Sequence, residues 1–147
     1  MTITIYHNPD CGTSRNVLSI IRAAGYDPVV KLYIDTGWTK AKLSKMFAAA
    51  EITPRQALRI SKSPAKELGL TDPSVSDKEL LKAMLAHPVL VNRPFVQTGL
   101  GTKLCRPAEI VLDLLENNPQ STVYSETGDV ILEVEAETTG LWSDIDS

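Results

Sequence analysis

The feature that most constrains this chain is a switch of hydrophobic period within its first 34 residues. "TITIY", residues 2–6, alternates and is rich in β-branched types, the pattern of a strand. Val17, Leu18, Ile20, Ile21 and Ala24 then recur at helical spacing, and Gly25 supplies a stop. "PVVKLYI", residues 28–34, reads as a second strand. Strand, helix and strand in so short a span form a βαβ unit, which places two parallel strands in a twisted sheet.

The middle of the chain is helical. Thr39 can cap "KAKLSKMFAAA", and Thr53 can cap a short helix that opens at Pro54. Ser76 with Glu79 gives a capping-box signature for "DKELLKAMLAH", which Pro88 ends. "VLVN" and "FVQT" then read as two strands around "RP", with a tight turn at "GLGT". Pro107 opens a last helix with Ile110, Val111, Leu114 and Leu115 on its apolar face. "VILEVEAE" fits either a strand or a helix, and the closing "TTGLWSDIDS" is expected to be loose. The order βαβ, helices, ββα resembles an α/β thioredoxin- or glutaredoxin-like fold: a mixed four-stranded sheet flanked by helices. The expected domain runs over 1–117 with a helical insertion at about 39–87, followed by an acidic tail at 118–147.

Charge is unevenly placed. Residues 1–106 hold all 15 Lys and Arg but 8 of the 18 acids, a net +7, whereas the remainder carries −10. A basic body suits an anionic small molecule. The basic residues are scattered and aromatics make up 5%, which argues against nucleic acid, since single strands stack on aromatic platforms. No stretch approaches the roughly 18 apolar residues of a membrane span. The opening "MTITIYHN" lacks the form of a signal peptide, and two cysteines are too few for a secreted disulfide framework. A cytoplasmic location is expected.

Cys11 lies in "YHNPDCGTSRN", between the first strand and the first helix. A thiol there meets unpaired helical N–H groups and the positive end of the helix dipole, both of which favour the thiolate and hold anions. His7 and Arg15 are candidates to add positive charge. The residue three beyond Cys11 is Ser14, so there is no C-x-x-C pair. A C-x5-R phosphatase loop fails as well, because Val17 stands where arginine is needed. Two cysteines and two histidines show no ligand spacing, so no metal is expected. Cys105, in "KLCRP", reads as structural.

Three arginines are candidate oxyanion ligands, because a planar guanidinium binds tetrahedral oxyanions in a bidentate manner. Arg106 precedes Pro107 and the last helix, and Arg93 precedes Pro94. Arg59 lies four residues after Arg55, which would place both on one helix face.

The motifs "IYHNPDCGTSRN" and "NRPFVQTGLGTKLCRP", with "HPVLVNRP" and "ELGL", closely resemble those of the glutaredoxin-coupled bacterial arsenate reductases, the ArsC family, over about residues 3–115. The resemblance implies a thioredoxin-like fold with a cis peptide before Pro94. It implies Cys11 as the catalytic nucleophile, His7 as support for its thiolate, and Arg59, Arg93 and Arg106 as oxyanion ligands around it. It further implies reduction of arsenate to arsenite through a Cys11–arsenic adduct, for arsenic detoxification. Glutathione would be the co-substrate and glutaredoxin the protein partner, with no bound cofactor. The chain departs from the family pattern at the "IS" after Arg59 and in its acidic tail. Two other readings share the fold. A redox-sensing transcription regulator that binds RNA polymerase would typically carry C-x-x-C. A general glutathione-dependent thiol oxidoreductase would keep Cys11 but would not need the arginines.

Overall fold

The two inner strands, "TIY" and "FVQT", are rich in β-branched and aromatic residues, and their side chains point alternately to the two faces of the sheet. The computed structural model describes residues 1–134. Strand β1, Thr4–Tyr6, pairs in parallel with β2, Val29–Lys31, across helix α1, Gly12–Ala23. Strand β3, Phe95–Thr98, is antiparallel to β1 and to β4, Gly101–Leu104. The sheet is therefore mixed and four-stranded, in the order β2-β1-β3-β4, as a thioredoxin-like α/β fold requires. Between β2 and β3 lie α2, Tyr33–Thr36, α3, Lys40–Ala50, α4, Pro54–Ala57, and α5, Asp77–Ala86. Strands β5, Val123–Tyr124, and β6, Val130–Leu132, form a separate antiparallel hairpin.

Successive strand residues point to opposite faces. Phe95 joins the core that α3 and α5 cover, with Leu43, Phe47, Leu80 and Met84. Its neighbour Val96 joins the other core, with Ile5, Val17, Ile21 and Val111. Helix α1 ends where Gly25 adopts a left-handed φ of 94°. There Gly25 N–H donates to Arg22 O and Tyr26 N–H to Ile21 O, a Schellman closure. Thr39 caps α3 by accepting from Lys42 N–H. Thr53 and Gln56 form a reciprocal capping box on α4. Ser76 makes half of one, accepting from Glu79 N–H.

The structure departs from the sequence reading in three places that shape the site. The strand read through Ile34 stops at Lys31, and Tyr33 turns inward on α2 to donate its hydroxyl to Val91 O at 2.8 Å. "VLVN" is not a strand of the sheet. Pro88–Leu90 is a 3-10 turn whose neighbouring backbone bonds the segment after α4: Arg59 N–H donates to Leu90 O (2.7 Å) and Asn92 N–H to Ala57 O (2.8 Å). Proline at its first position has no N–H to give a sheet ladder. The fourth strand is instead β4, after the "GL" turn. The last helix, Ala108–Leu114, is 3-10 throughout. Its buried residues Ala108, Val111 and Leu114 fall three apart, the spacing that lines up on one face at three residues per turn.

The stretch after residue 118 begins with the hairpin, and Val123 is buried in the α1-side core. Of "VILEVEAE", Val130–Leu132 is strand. "TTGLWSDIDS" lies outside the described residues.

Phe95 is fully buried, with its ring centroid 5.8 Å from that of Phe47. Phe95→Ala is expected to cost about 3–5 kcal/mol through lost burial and the cavity left behind. Urea denaturation followed by circular dichroism measures it. A midpoint close to that of the wild type would show that this core collapses around the missing ring.

Candidate active site

Cys11 sits at the N-cap of α1 with extended backbone, φ −98° and ψ 122°. Its carbonyl accepts the Arg15 N–H at 3.0 Å, the first bond of the helix, and the nearest helix N–H to bear on its sulfur is that of Ser14. Asn8 shapes the approach: its Oδ1 accepts Asp10 N–H at 3.0 Å and its carbonyl accepts Cys11 N–H at 3.0 Å. Both are short-range turns of the type that Asn favours.

Arg106 donates from Nη1 to Cys11 Sγ at 3.5 Å and to Arg93 O at 2.9 Å. Arg93 is buried, at 4% exposure. Its Nη1 donates to Val89 O at 3.1 Å, and its Nε has no hydrogen-bond partner among the described residues. A buried cation with an open N–H is costly unless an anion or water completes it. The Arg93–Pro94 peptide is cis, as the resemblance implies, and so is Arg106–Pro107.

Arg59 arrives by a different route from the one the sequence suggested. Helix α4 ends at Ala57 and Leu58 is extended, so Arg55 and Arg59 do not share a helix face. The Thr53 capping box and Pro54 start the helix, but the Leu58–Val91 bridge draws the chain out of it after one turn. Arg55 instead fastens the loop before α5, donating to Leu70 O, Asp72 O and Val75 O. Arg59 Nε donates to Ser61 O at 2.9 Å. Burial, and then the charges of Arg93 and Arg106, lower its pKa, while the Cys11 thiolate acts in the opposite sense. These groups feel one another, so Arg59, Arg93, Arg106 and Cys11 occupy one electrostatic neighbourhood.

Burial is the largest single influence on the Cys11 thiol and pushes its pKa up. The Ser14 N–H, the Arg106 and Arg93 guanidiniums as hydrogen-bond donors, and the charge of Arg93 together outweigh it. The thiol ends below its ordinary value, which raises the thiolate fraction at neutral pH. Arg15, read as a further source of charge, instead donates to Pro9 O at 2.7 Å and is not among the groups that shift the thiol.

His7 does not supply the positive charge read from the sequence. It is buried at 5% exposure, and burial, then Arg22 and Arg15, lower its pKa, so the neutral ring prevails at pH 7. Its Nδ1 lies 2.6 Å from Ser14 Oγ, which also accepts the Asn8 N–H at 3.1 Å. The Ser14 hydroxyl then has its own proton to direct at the ring. His7 reaches the thiol's loop through Ser14 rather than by charge.

Sequence reasoning missed two members of this neighbourhood. In the sequence Ser14 stands out only as the residue that is not a second cysteine, yet it is fully buried and links His7 to the loop. Tyr33, at 1% exposure, was placed in a strand, and nothing in "KLYI" marks it as a site residue. Cys105 lies in the core, where burial pushes its pKa up to about 12. A cleft of about 620 Å³ between α1 and the β5–β6 hairpin is lined by Arg15, Arg22, Glu126 and Asp129; Cys11 and the three arginines do not line it. No described helix is long and apolar enough to cross a membrane.

Residues 6–114 match the model of the ArsC family. An arsenate reductase of Synechocystis sp., ArsI2, is 56% identical over 131 residues, covering 89% of this chain and 94% of that protein. An arsenate reductase of Rhizobium meliloti is 54% identical over 133 residues, covering 90% and 95%. Among solved structures, an arsenate reductase from Vibrio cholerae superposes with a TM-score of 0.73 at 34% identity, covering 78% of this chain and 98% of that one.

The two cysteines should separate by alkylation. The pH profile of iodoacetamide modification is expected to place the midpoint for Cys11 below the roughly 8.5 of a free cysteine. Cys105 should stay unmodified in the folded protein. Arg106→Ala removes a donor to the sulfur and should move the Cys11 midpoint up. An unmoved midpoint would show that Arg106 does not hold the thiolate.

Proposed function

The chain belongs to the ArsC family, and from that premise we propose that it reduces arsenate to arsenite with Cys11 as nucleophile and external thiols as reductant. One observation carries this reading: Arg106 donates to the Cys11 sulfur at a helix N-terminus, in a field shared with Arg93 and Arg59, and a buried guanidinium N–H of Arg93 is left open. That arrangement suits a tetrahedral oxyanion held against a nucleophilic sulfur. Arg59, Arg93 and Arg106 are the proposed oxyanion ligands, and His7 supports the loop through Ser14.

The Cys11 thiolate attacks arsenic; an As–O bond breaks and the oxygen leaves as water, with arsenic still As(V). Glutathione displaces a second oxygen as water, so that arsenic bridges the two sulfurs. A glutaredoxin thiolate then attacks the glutathione sulfur. The new S–S bond forms, the S–As bond breaks, and its electron pair stays on arsenic, which becomes As(III). Water displaces Cys11 and arsenite leaves. Each turnover converts two thiols into one disulfide and releases one net water. The scheme uses no metal and no bound cofactor. Ser14 in place of a second cysteine supports an external source for the later thiols.

Arsenate-dependent NADPH oxidation, coupled through glutathione reductase, glutathione and glutaredoxin, tests this directly. Turnover should need both thiols and should vanish in Cys11→Ser; activity that persists in that variant removes Cys11 as nucleophile. Arg93→Lys should lower kcat/KM about 10- to 100-fold, the equivalent of about 1.5–3 kcal/mol for a charge-assisted hydrogen bond. A lysine is a point charge and does not reproduce the planar fork.

A further inference from the structure

The segment from Pro88 to Pro94 bears Arg93 and, through Leu90 O, anchors the backbone of Arg59. Its own regular hydrogen bonding is slight, so what fixes it in place also fixes the cation cluster. Backbone bonds to Ala57 and Arg59 hold one edge. Side chains hold it as well: Arg106 Nη1 donates to Arg93 O at 2.9 Å, and the Tyr33 hydroxyl donates to Val91 O at 2.8 Å, two residues before Arg93. The Tyr33 ring is set in turn by stacking on Trp38, with centroids 5.2 Å apart, and is 1% exposed.

We propose that Tyr33 is a positioning residue for the oxyanion site: its buried hydroxyl fixes the Val91–Arg93 backbone and thereby the aim of Arg93 at Cys11. A phenol has one proton, and this one is already directed at Val91 O, so Tyr33 does not also donate to an oxyanion. It acts through Arg93. Its electrostatic surroundings agree with that placement. Burial pushes the phenol up to about 12, Arg93 opposes the shift by charge and hydrogen bonding, and Cys11 and Arg59 act on it as well. The phenol therefore stays protonated across the working range and remains a donor.

The role rests on the proposed oxyanion site, and the test separates the two. Two readouts are used on Tyr33→Phe, which keeps the ring and its packing on Trp38: the pH profile of Cys11 alkylation, and the arsenate concentration that half-protects Cys11 from iodoacetamide. Tyr6→Phe is the control, because Tyr6 stacks on the same Trp38 (4.9 Å) but donates to Gln97 Oε1 on β3. Tyr33→Phe is expected to move the alkylation midpoint up and to raise the protecting arsenate concentration about tenfold, with Tyr6→Phe matching wild type. A merely structural hydroxyl would lower the urea midpoint and leave both readouts in place, which overturns the proposal. Equal effects from Tyr6→Phe overturn it too. If arsenate fails to protect even the wild type, the proposed function fails, and the alkylation profile still decides the role of Tyr33. In the wild type, a slowly exchanging Tyr33 hydroxyl proton is expected by NMR, and rapid exchange with water would contradict the buried bond.

Discussion

Arg106 donates to the Cys11 sulfur, Arg93 and Arg59 share its electrostatic field, and the way these three guanidiniums are held leaves their charge available. Each is oriented by a backbone carbonyl: Arg59 by Ser61 O, Arg93 by Val89 O, and Arg106 by Arg93 O. A carbonyl offers a dipole, which fixes direction but does not cancel charge as a carboxylate would. Among the described residues the one side-chain ion pair is Lys103–Asp113, an exposed contact at 3.4 Å that lies away from the three arginines. The cluster therefore carries uncancelled positive charge, and burial first, then the repulsion of Arg93 and Arg106, lowers the pKa of Arg59. That repulsion disfavours the empty site and is relieved by a thiolate or a bound oxyanion, so both are favoured for the same reason.

Holding such a cluster requires backbone that is not committed to a sheet. Residues 89–92, "VLVN", read as a strand and do not join the sheet, and the difference bears on the site. A strand there would place its carbonyls in a ladder. The 3-10 turn and the bridge to Leu58 instead leave Val89 O for Arg93, Leu90 O for Arg59 N–H and Val91 O for Tyr33. Three successive carbonyls thus receive three different parts of the site. The 3-10 form of Ala108–Leu114 belongs to the same arrangement, since Pro107, the residue after Arg106, is its N-cap, and its end is tied by Thr98 Oγ1 to Leu114 O at 2.7 Å.

Much of this was legible in the sequence, for identifiable reasons. The βαβ opening shows in the change of period at residues 2–34, and Gly25, Thr39, Thr53 and Ser76 mark helix ends because capping chemistry is local. Cys11 stands out through its place before a helix. What was not legible depends on distant partners. The hydrophobicity of "VLVN" fits a buried turn as well as a strand, and its fate is decided by Ala57, Arg59 and Tyr33. Arg55 and Arg59 share helical spacing, but the helix stops between them for a tertiary reason. The charge expected on His7 disappears through burial, which its neighbours in sequence do not announce.

Burial also decides which sulfur of this chain can attack. A thiol attacks as its thiolate, and Cys105 is fully buried with its pKa at about 12, so almost none of it is ionised at neutral pH. The chain's other sulfur of this type is Cys11 itself. Position 14, where a local partner would sit, holds a hydroxyl already bonded to His7 and Asn8 inside the protein. A two-electron reduction begun at Cys11 therefore has no ready thiolate within the chain to finish it. Under the proposed function the finishing thiols come from outside the chain, to a sulfur that Arg106 already contacts.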